Sequence, residues 1–266
     1  EEPKKFDRAA LEQRANELRI PVRMGNATST AVLMGFTKTG KPLYYTTDNS
    51  VSAASTATDK LYPGGTAGLS LTGSGVIIGE WDGGGVLTTH QEFGGRATQM
   101  DSPASVNFHA THVAGTLIAS GVQAAARGMS YQASLQAYDW DADSTEMKNA
   151  AAAGLKVSNH SYGFLTGWYL SGGTWYWFGD VNLSTVEDAG FGYYSEQTWS
   201  WDNIARSYPN YLIVKSAGND RLQGPAAGTG HYYWNAGTSS WTFSTATRNL
   251  DGGPLGYDCV TDIGNA

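Results

Sequence analysis

Along this 266-residue chain the spacing of apolar positions changes character near residue 76. Before that point the periods are short and isolated. Leu11 and Leu18 fall on one side of residues 7–18, Asp7 stands where a helix cap is expected, and Ile20-Pro21 ends the run, which predicts a short amphipathic helix. Two apolar stretches, 31–36 and 42–46, flank the turn Lys38-Thr39-Gly40-Lys41 and predict a hairpin. Residues 47–75 are rich in Ser, Thr, Ala and Gly and read as an extended segment laid over a larger body.

From residue 76 onward, short apolar runs alternate with helical ones. Strands are predicted at 76–81, 134–138, 157–160 and 211–216, and helices at 111–120, 144–153 and 199–208, with Pro209 ending the last. Asp143, with Glu146 three residues on, has the signature of a capping box. Trp241-Thr242-Phe243-Ser244 alternates like a strand. Strand followed by helix, repeated, predicts an α/β fold with a three-layer, mostly parallel, doubly wound sheet. Ligands on such sheets bind beyond the carboxyl ends of the strands.

Composition narrows the function. Apolar residues make up 41% of the chain, enough for a sizeable core, and the formal charge is -7 without basic clusters. Nucleic acid and anionic membrane are therefore poor partners. No apolar run approaches the ~18 residues of a membrane span. Charged residues are sparse and Gly, Ser, Thr, Tyr and Trp are plentiful, which suits an extracellular protein with many loops. Glu1-Glu2-Pro3-Lys4-Lys5 is a polar start of the kind left when a signal peptide is removed. Cys259, the single cysteine, has no internal disulfide partner and reads as a small core or turn residue.

Three polar residues fall where this layout concentrates chemistry. Asp82 ends the strand of Gly79-Glu80-Trp81-Asp82-Gly83-Gly84. His109 stands at the mouth of a helix in His109-Ala110-Thr111-His112-Val113-Ala114-Gly115-Thr116. Asn219 follows a strand in Ser216-Ala217-Gly218-Asn219. Alone, the acid and the amide would be turn residues and the imidazole a structural group. Together they offer a base, an acid to orient it, and a donor for an oxyanion.

The second segment resembles the His-Gly-Thr-His-Val-Ala-Gly-Thr signature of the subtilases, with Ala110 in place of the glycine. The first is similar to their strand ending in Asp-Ser-Gly or Asp-Thr-Gly, with Gly83 in the middle position. The third resembles their Ala-Gly-Asn segment, and Asn159-His160-Ser161-Tyr162-Gly163 resembles their Asn-x-Ser-Leu-Gly edge. The likeness spans residues 51–266 and is greatest to large secreted bacterial subtilases with aromatic insertions. It implies a subtilisin-like fold and a serine endopeptidase acting on polypeptide substrates, secreted or at the cell surface. His109 would be the general base, Asp82 its partner and Asn219 the oxyanion donor, while Ser161, Tyr162 and Gly163 would pair with extended substrate as an added strand. His112, one turn further in, is expected to be structural. Residues 1–46 would be an N-terminal extension or propeptide remnant, needed to reach the fold but dispensable afterwards. Residues 47–266 would be the catalytic domain, incomplete at its C-terminus.

The expectation of incompleteness comes from the nucleophile. The family's Gly-Thr-Ser-Met-Ala segment, which opens a long apolar helix, is not found. Gly237-Thr238-Ser239-Ser240 matches it superficially but runs into the strand-like stretch at Trp241. The serine is expected beyond this chain, and the 266 residues alone are expected to be inactive. A non-catalytic peptide- or carbohydrate-binding protein on a subtilase scaffold is the alternative, motivated also by the aromatic stretch from Gly167 to Phe178, which otherwise packs its own rings. No cofactor is required. Calcium as a structural ion is compatible with the family, although Asp139, Asp141 and Asp143 lack the glycine of an EF-hand loop. His109, His112 and Asp82 lack the further His or Cys that would complete a zinc site.

Overall fold

A computed structural model describes residues 8–25, 30–36, 40–47, 56–122 and 127–261. Asp7 and Lys38-Thr39, named above as cap and turn, lie outside the described residues. The chain runs α1 (Arg8–Glu17), β1 (Arg23–Gly25), β2 (Thr30–Phe36), β3 (Pro42–Thr47), β4 (Ile77–Asp82), β5 (Ala97–Gln99), α2 (Phe108–Ile118), β6 (Ser134–Asp139), α3 (Asp143–Ala152), β7 (Val157–His160), β8 (Tyr162–Phe164), β9 (Trp168–Ser171), β10 (Thr174–Trp177), α4 (Glu196–Ser207), β11 (Leu212–Lys215), β12 (His231–Asn235) and β13 (Ser240–Ser244). It forms two compact units, one drawn from Asn49–Ser161 and Asn203–Lys215, the other from Glu1–Asp48, Tyr162–Asp202 and Ser216–Ala266.

The first unit carries the expected parallel sheet, in the order β11-β7-β4-β6-β5 with every pairing parallel. Alternation along β4 divides its work. Ile78 joins Ala110, Ala114 and Ile118 of α2 and Leu135 and Ala137 of β6 in one buried cluster, so Ile78, Glu80 and Asp82 face α2. Trp81 faces the other way, and its Nε1 donates to Glu146 of α3 at 3.1 Å. Helices therefore cover both faces, which gives a three-layer α/β unit. Residues 56–75 lie over it as an irregular segment. Tyr62 donates its hydroxyl to the Met129 carbonyl at 2.9 Å, and the Arg127 guanidinium lies against both the Tyr62 and the Tyr131 ring.

Three sequence expectations are corrected here. The helix predicted from 111 begins at Phe108, because Asn107 caps it. The helix predicted from 199 begins at Glu196. The capping box at Asp143 does not form. The Asp143 carboxylate accepts from the Ser144 N–H, and Glu146 reaches across to Trp81 instead of back to the helix start. The indole N–H is buried, whereas the helix end can find solvent, and an unmet buried donor costs more.

The second unit has two sheets, β1-β2-β3-β8 and β13-β12-β10-β9. The predicted hairpin is β2–β3, antiparallel with a register shift between Leu33 and Gly35. Its small size cannot support a core, and it does not stand alone. Leu11, Ala15, Ile20, Leu33 and Tyr44 share one buried cluster with Leu165, Tyr169, Phe178 and Trp234. The N-terminal segment thus shares a buried core with the aromatic stretch.

Leu33 is fully buried in that cluster. Leu33→Ala is expected to destabilise the protein by about 2–5 kcal/mol, read as an earlier denaturant midpoint followed by tryptophan fluorescence. Glu146 gives a pH-dependent counterpart. Burial, ahead of the neighbouring Asp101, Asp139 and Asp143 charges, lifts its pKa from 4.5 to about 7, against the pull of the Trp81 bond. The raised carboxyl adds a cost to folding that is absent below about pH 4.5 and grows up to about pH 7. Glu146→Gln keeps an acceptor for Trp81 and removes this cost. The variant should melt higher than the parent at pH 8 and equal to it at pH 4, as measured by calorimetry at both values.

Candidate active site

The buried pair at the carboxyl end of β4 is built by two local devices. Asp82 is the last residue of its strand and is 0% exposed. The chain then passes through Gly83-Gly84-Gly85, where Gly84 has φ 146° and a Cβ would stand 3.0 Å from the Ser105 carbonyl. That close approach lets the Gly85 N–H donate to Ser105 and the Asn107 N–H to Gly85, at 2.9 and 2.7 Å. Asn107 then caps α2. Its Oδ1 accepts from the His109 N–H at 2.7 Å and more loosely from Ala110, while its Nδ2 donates to the Gly83 carbonyl at 3.0 Å. Thr111 adds a second tie, donating to the Asn107 carbonyl and accepting from the Leu87 N–H.

The outcome is that His109, 4% exposed, meets Asp82. The ring Nδ1 lies 2.9 Å from each carboxylate oxygen, and Asp82 Oδ1 also accepts from the Gly83 N–H at 2.6 Å. A carboxylate offers only acceptors, so the shared hydrogen is assigned to Nδ1 and Nε2 becomes the basic nitrogen. The contact therefore fixes the tautomer and the plane of the imidazole, as a general base requires.

The two departures from the family pattern have physical explanations. The Ala110 methyl is fully buried in the cluster beneath α2 and points into the core. Gly83 faces the Trp140 ring, which stands 3.0 Å from where a Cβ would be. His112 corrects an expectation: it is exposed, while His109, Ala110, Val113 and Ala114 are buried. At 3.6 residues per turn, positions 109, 110, 113 and 114 share the sheet side and 112 turns outward. Asn107 is the residue that sequence reasoning missed. Its signal was present, an asparagine just before an apolar helix, and was lost when the helix start was set at 111.

Of the other expected site residues, Ser161 belongs to the first unit and Tyr162, Gly163 and Asn219 to the second. Asn219 belongs to the second unit, four residues past β11, and is exposed. Ser161 accepts from the Asn159 side chain at 2.9 Å. Tyr162 and Gly163 are buried in β8, which pairs antiparallel with β3 through Thr47↔Tyr162 and Thr46↔Gly163. Ser239 occupies the turn between β12 and β13 with φ 49°, and the strand expected around Trp241 is β13. Cys259 is half-buried, and burial pushes its thiol pKa up. Among the described residues, no three or more His, Cys, Asp or Glu side chains are arranged to hold a metal ion, and no helix is long and apolar enough to cross a membrane.

Comparison with known proteins places this geometry. The sequence profile of the subtilase family, Peptidase S8, matches residues 86–249, more than half of the chain. The match includes His109 and begins just after Asp82. No curated protein matches the chain. Among solved structures, fervidolysin from Fervidobacterium pennivorans, described as a keratinolytic enzyme related to subtilisin, is 18% identical. That likeness covers 67% of this chain and 28% of fervidolysin, with a TM-score of 0.37, so the chain spans less than a third of that protein. On the extent of the profile match, the chain belongs to the subtilase family.

Proposed function

We propose that this chain supplies the acid and the base of a serine endopeptidase that hydrolyses polypeptides. The observation that carries the reading is the buried contact of the Asp82 carboxylate with His109 Nδ1 at 2.9 Å. A serine hydroxyl at Nε2 would pass its proton to the imidazole as its oxygen attacks the scissile carbonyl. Asp82 would stabilise the imidazolium without taking the proton. Asn219 would donate its amide hydrogen to the oxyanion. His109 would then return the proton to the leaving amine.

Ser161, Tyr162 and Gly163 would hold the substrate backbone as an added strand. The antiparallel pairing of β8 with β3 supports this use of the edge, because it already engages the main-chain groups that substrate would need. Substrate would compete with β3 for that edge. No cofactor enters this mechanism, and calcium would serve only as a structural ion. Secretion or display at the cell surface fits the family and the loop-rich, charge-poor composition.

Two measurements test the reading. In a form of the protein that hydrolyses peptides, His109→Ala should lower hydrolysis by at least about 10²–10⁴-fold. His112→Ala, on the exposed side of α2, should leave hydrolysis within a few-fold; the reverse order would overturn the assignment of the base. A fluorophosphonate probe should leave the 266-residue chain unlabelled, since Ser239 sits in a hairpin turn and does not open a helix. Labelled Ser239 in a tryptic digest would show that the nucleophile had been misplaced.

A further inference from the structure

Strand β4 carries a second acid on the face that carries Asp82. Side chains two apart on a strand point the same way, and Glu80 precedes Asp82 by two. Glu80 is 0% exposed and pairs laterally with Ala137 of β6 and Asn159 of β7. The buried side of α2, with Ala110 and Ala114, lies over it. Neither carboxyl oxygen makes a hydrogen bond of ordinary geometry among the described residues.

A charged carboxylate in such a place would need a hydrogen-bonded cation to offset its loss of water. Among the described residues, the surrounding elements face it with none. On β4 itself the neighbour is Asp82, already negative. On α2 it is His109, engaged with Asp82. β6 contributes Asp139, the lateral partner of Asp82. β5 and β7 contribute the uncharged Gln99 and Asn159. The register of β11 puts Leu212 and Val214 on this face and turns Lys215 to the opposite one. Burial first, and then the Asp82 charge, hold the Glu80 proton well above the ordinary glutamate range, weakly opposed by the Ala114 backbone N–H.

We propose that Glu80 is a positioning residue for the Asp82–His109 pair, an acid kept neutral beneath α2 so that Asp82 is the single negative charge the imidazole meets. An apolar residue would also leave that charge single. The carboxyl differs in being able to ionise at high pH. It then adds a second negative charge beside the first, strengthens proton binding at His109, and gives the pair an alkaline transition of its own.

The inference goes beyond the peptidase reading and needs only the buried pair. Its test is a nuclear magnetic resonance titration of the histidine ring signals in the full 266-residue chain and in Glu80→Gln, with His109 assigned by its loss in His109→Ala. The parent should show the ring midpoint and a second inflection at higher pH. Glu80→Gln should keep the ring midpoint within about 0.3 unit and lose the second inflection. A fall of the ring midpoint by about one unit or more in Glu80→Gln would mean that Glu80 was already charged, and would overturn the proposal. So would a second inflection that survives the substitution, or a parent with none. Should the variant fail to fold, infrared spectra of Glu146→Gln, which removes the other raised glutamate, decide the matter with isotope-labelled glutamate. A protonated-carboxyl band from a buried glutamate at neutral pH is expected, and its absence refutes the idea. Absence of peptidase activity would weigh against the peptidase reading and leave these outcomes untouched.

Discussion

The Asn107 side chain joins two parts of the chain that its sequence position keeps apart. With one end it accepts from the first amides of α2, and with the other it holds the carbonyl of Gly83, next to Asp82. Without that clamp the strand end and the helix start would each fold acceptably, since strand pairing and helical propensity do not depend on it. Their relative placement would then be loose. A general base must sit within a few tenths of an ångström of its partner, so the precision of the site is set by this polar tie and by the glycine run that lets it close.

Around this point burial raises the proton affinity of the acids it encloses. Glu80 and Glu146 flank the central strand from opposite faces, and burial favours the protonated form in both. The second unit repeats the pattern. Asp251 accepts from the Trp168 N–H with both oxygens, yet burial outweighs those bonds and pushes its pKa to about 9. Arg248 is the buried cation of that unit, stacked 3.9 Å over Trp177 and donating to His231 Nε2. Desolvation is the largest cause at each of these acids, which is why carboxyls held by good hydrogen bonds still shift upward.

The aromatic stretch follows the packing rule and not the binding one. Trp168, Tyr169, Trp177 and Phe178 are buried, with Tyr169 and Phe178 set edge to face at 6.4 Å and Phe178 against Tyr44 at 5.7 Å. Rings that fill a core in this way are not available to stack on a sugar. The non-catalytic binding alternative loses one of the two features that motivated it and keeps the other, the missing Gly-Thr-Ser-Met-Ala segment.

Much of the first unit was legible in the amino-acid order, because a parallel sheet covered on both faces imposes a strong local rhythm. Strands β4, β6, β7 and β11, helix α3 and the candidates Asp82 and His109 all follow from periods that each segment carries by itself. The second unit was less legible. β1, β8, β9, β10 and β12 are three to five residues long, too short for a period to stand out from turn composition, and their pairing joins residues from 23 to 244. Whether His112 turned inward, whether Asp143 capped its helix, and which acids shifted upward depended on what was packed against each side chain. A sequence specifies the local period and the chemical groups available. Burial, and the choice among competing hydrogen-bond partners, exist only once distant segments meet, and here those two quantities set the charge, the tautomer and the placement of the site.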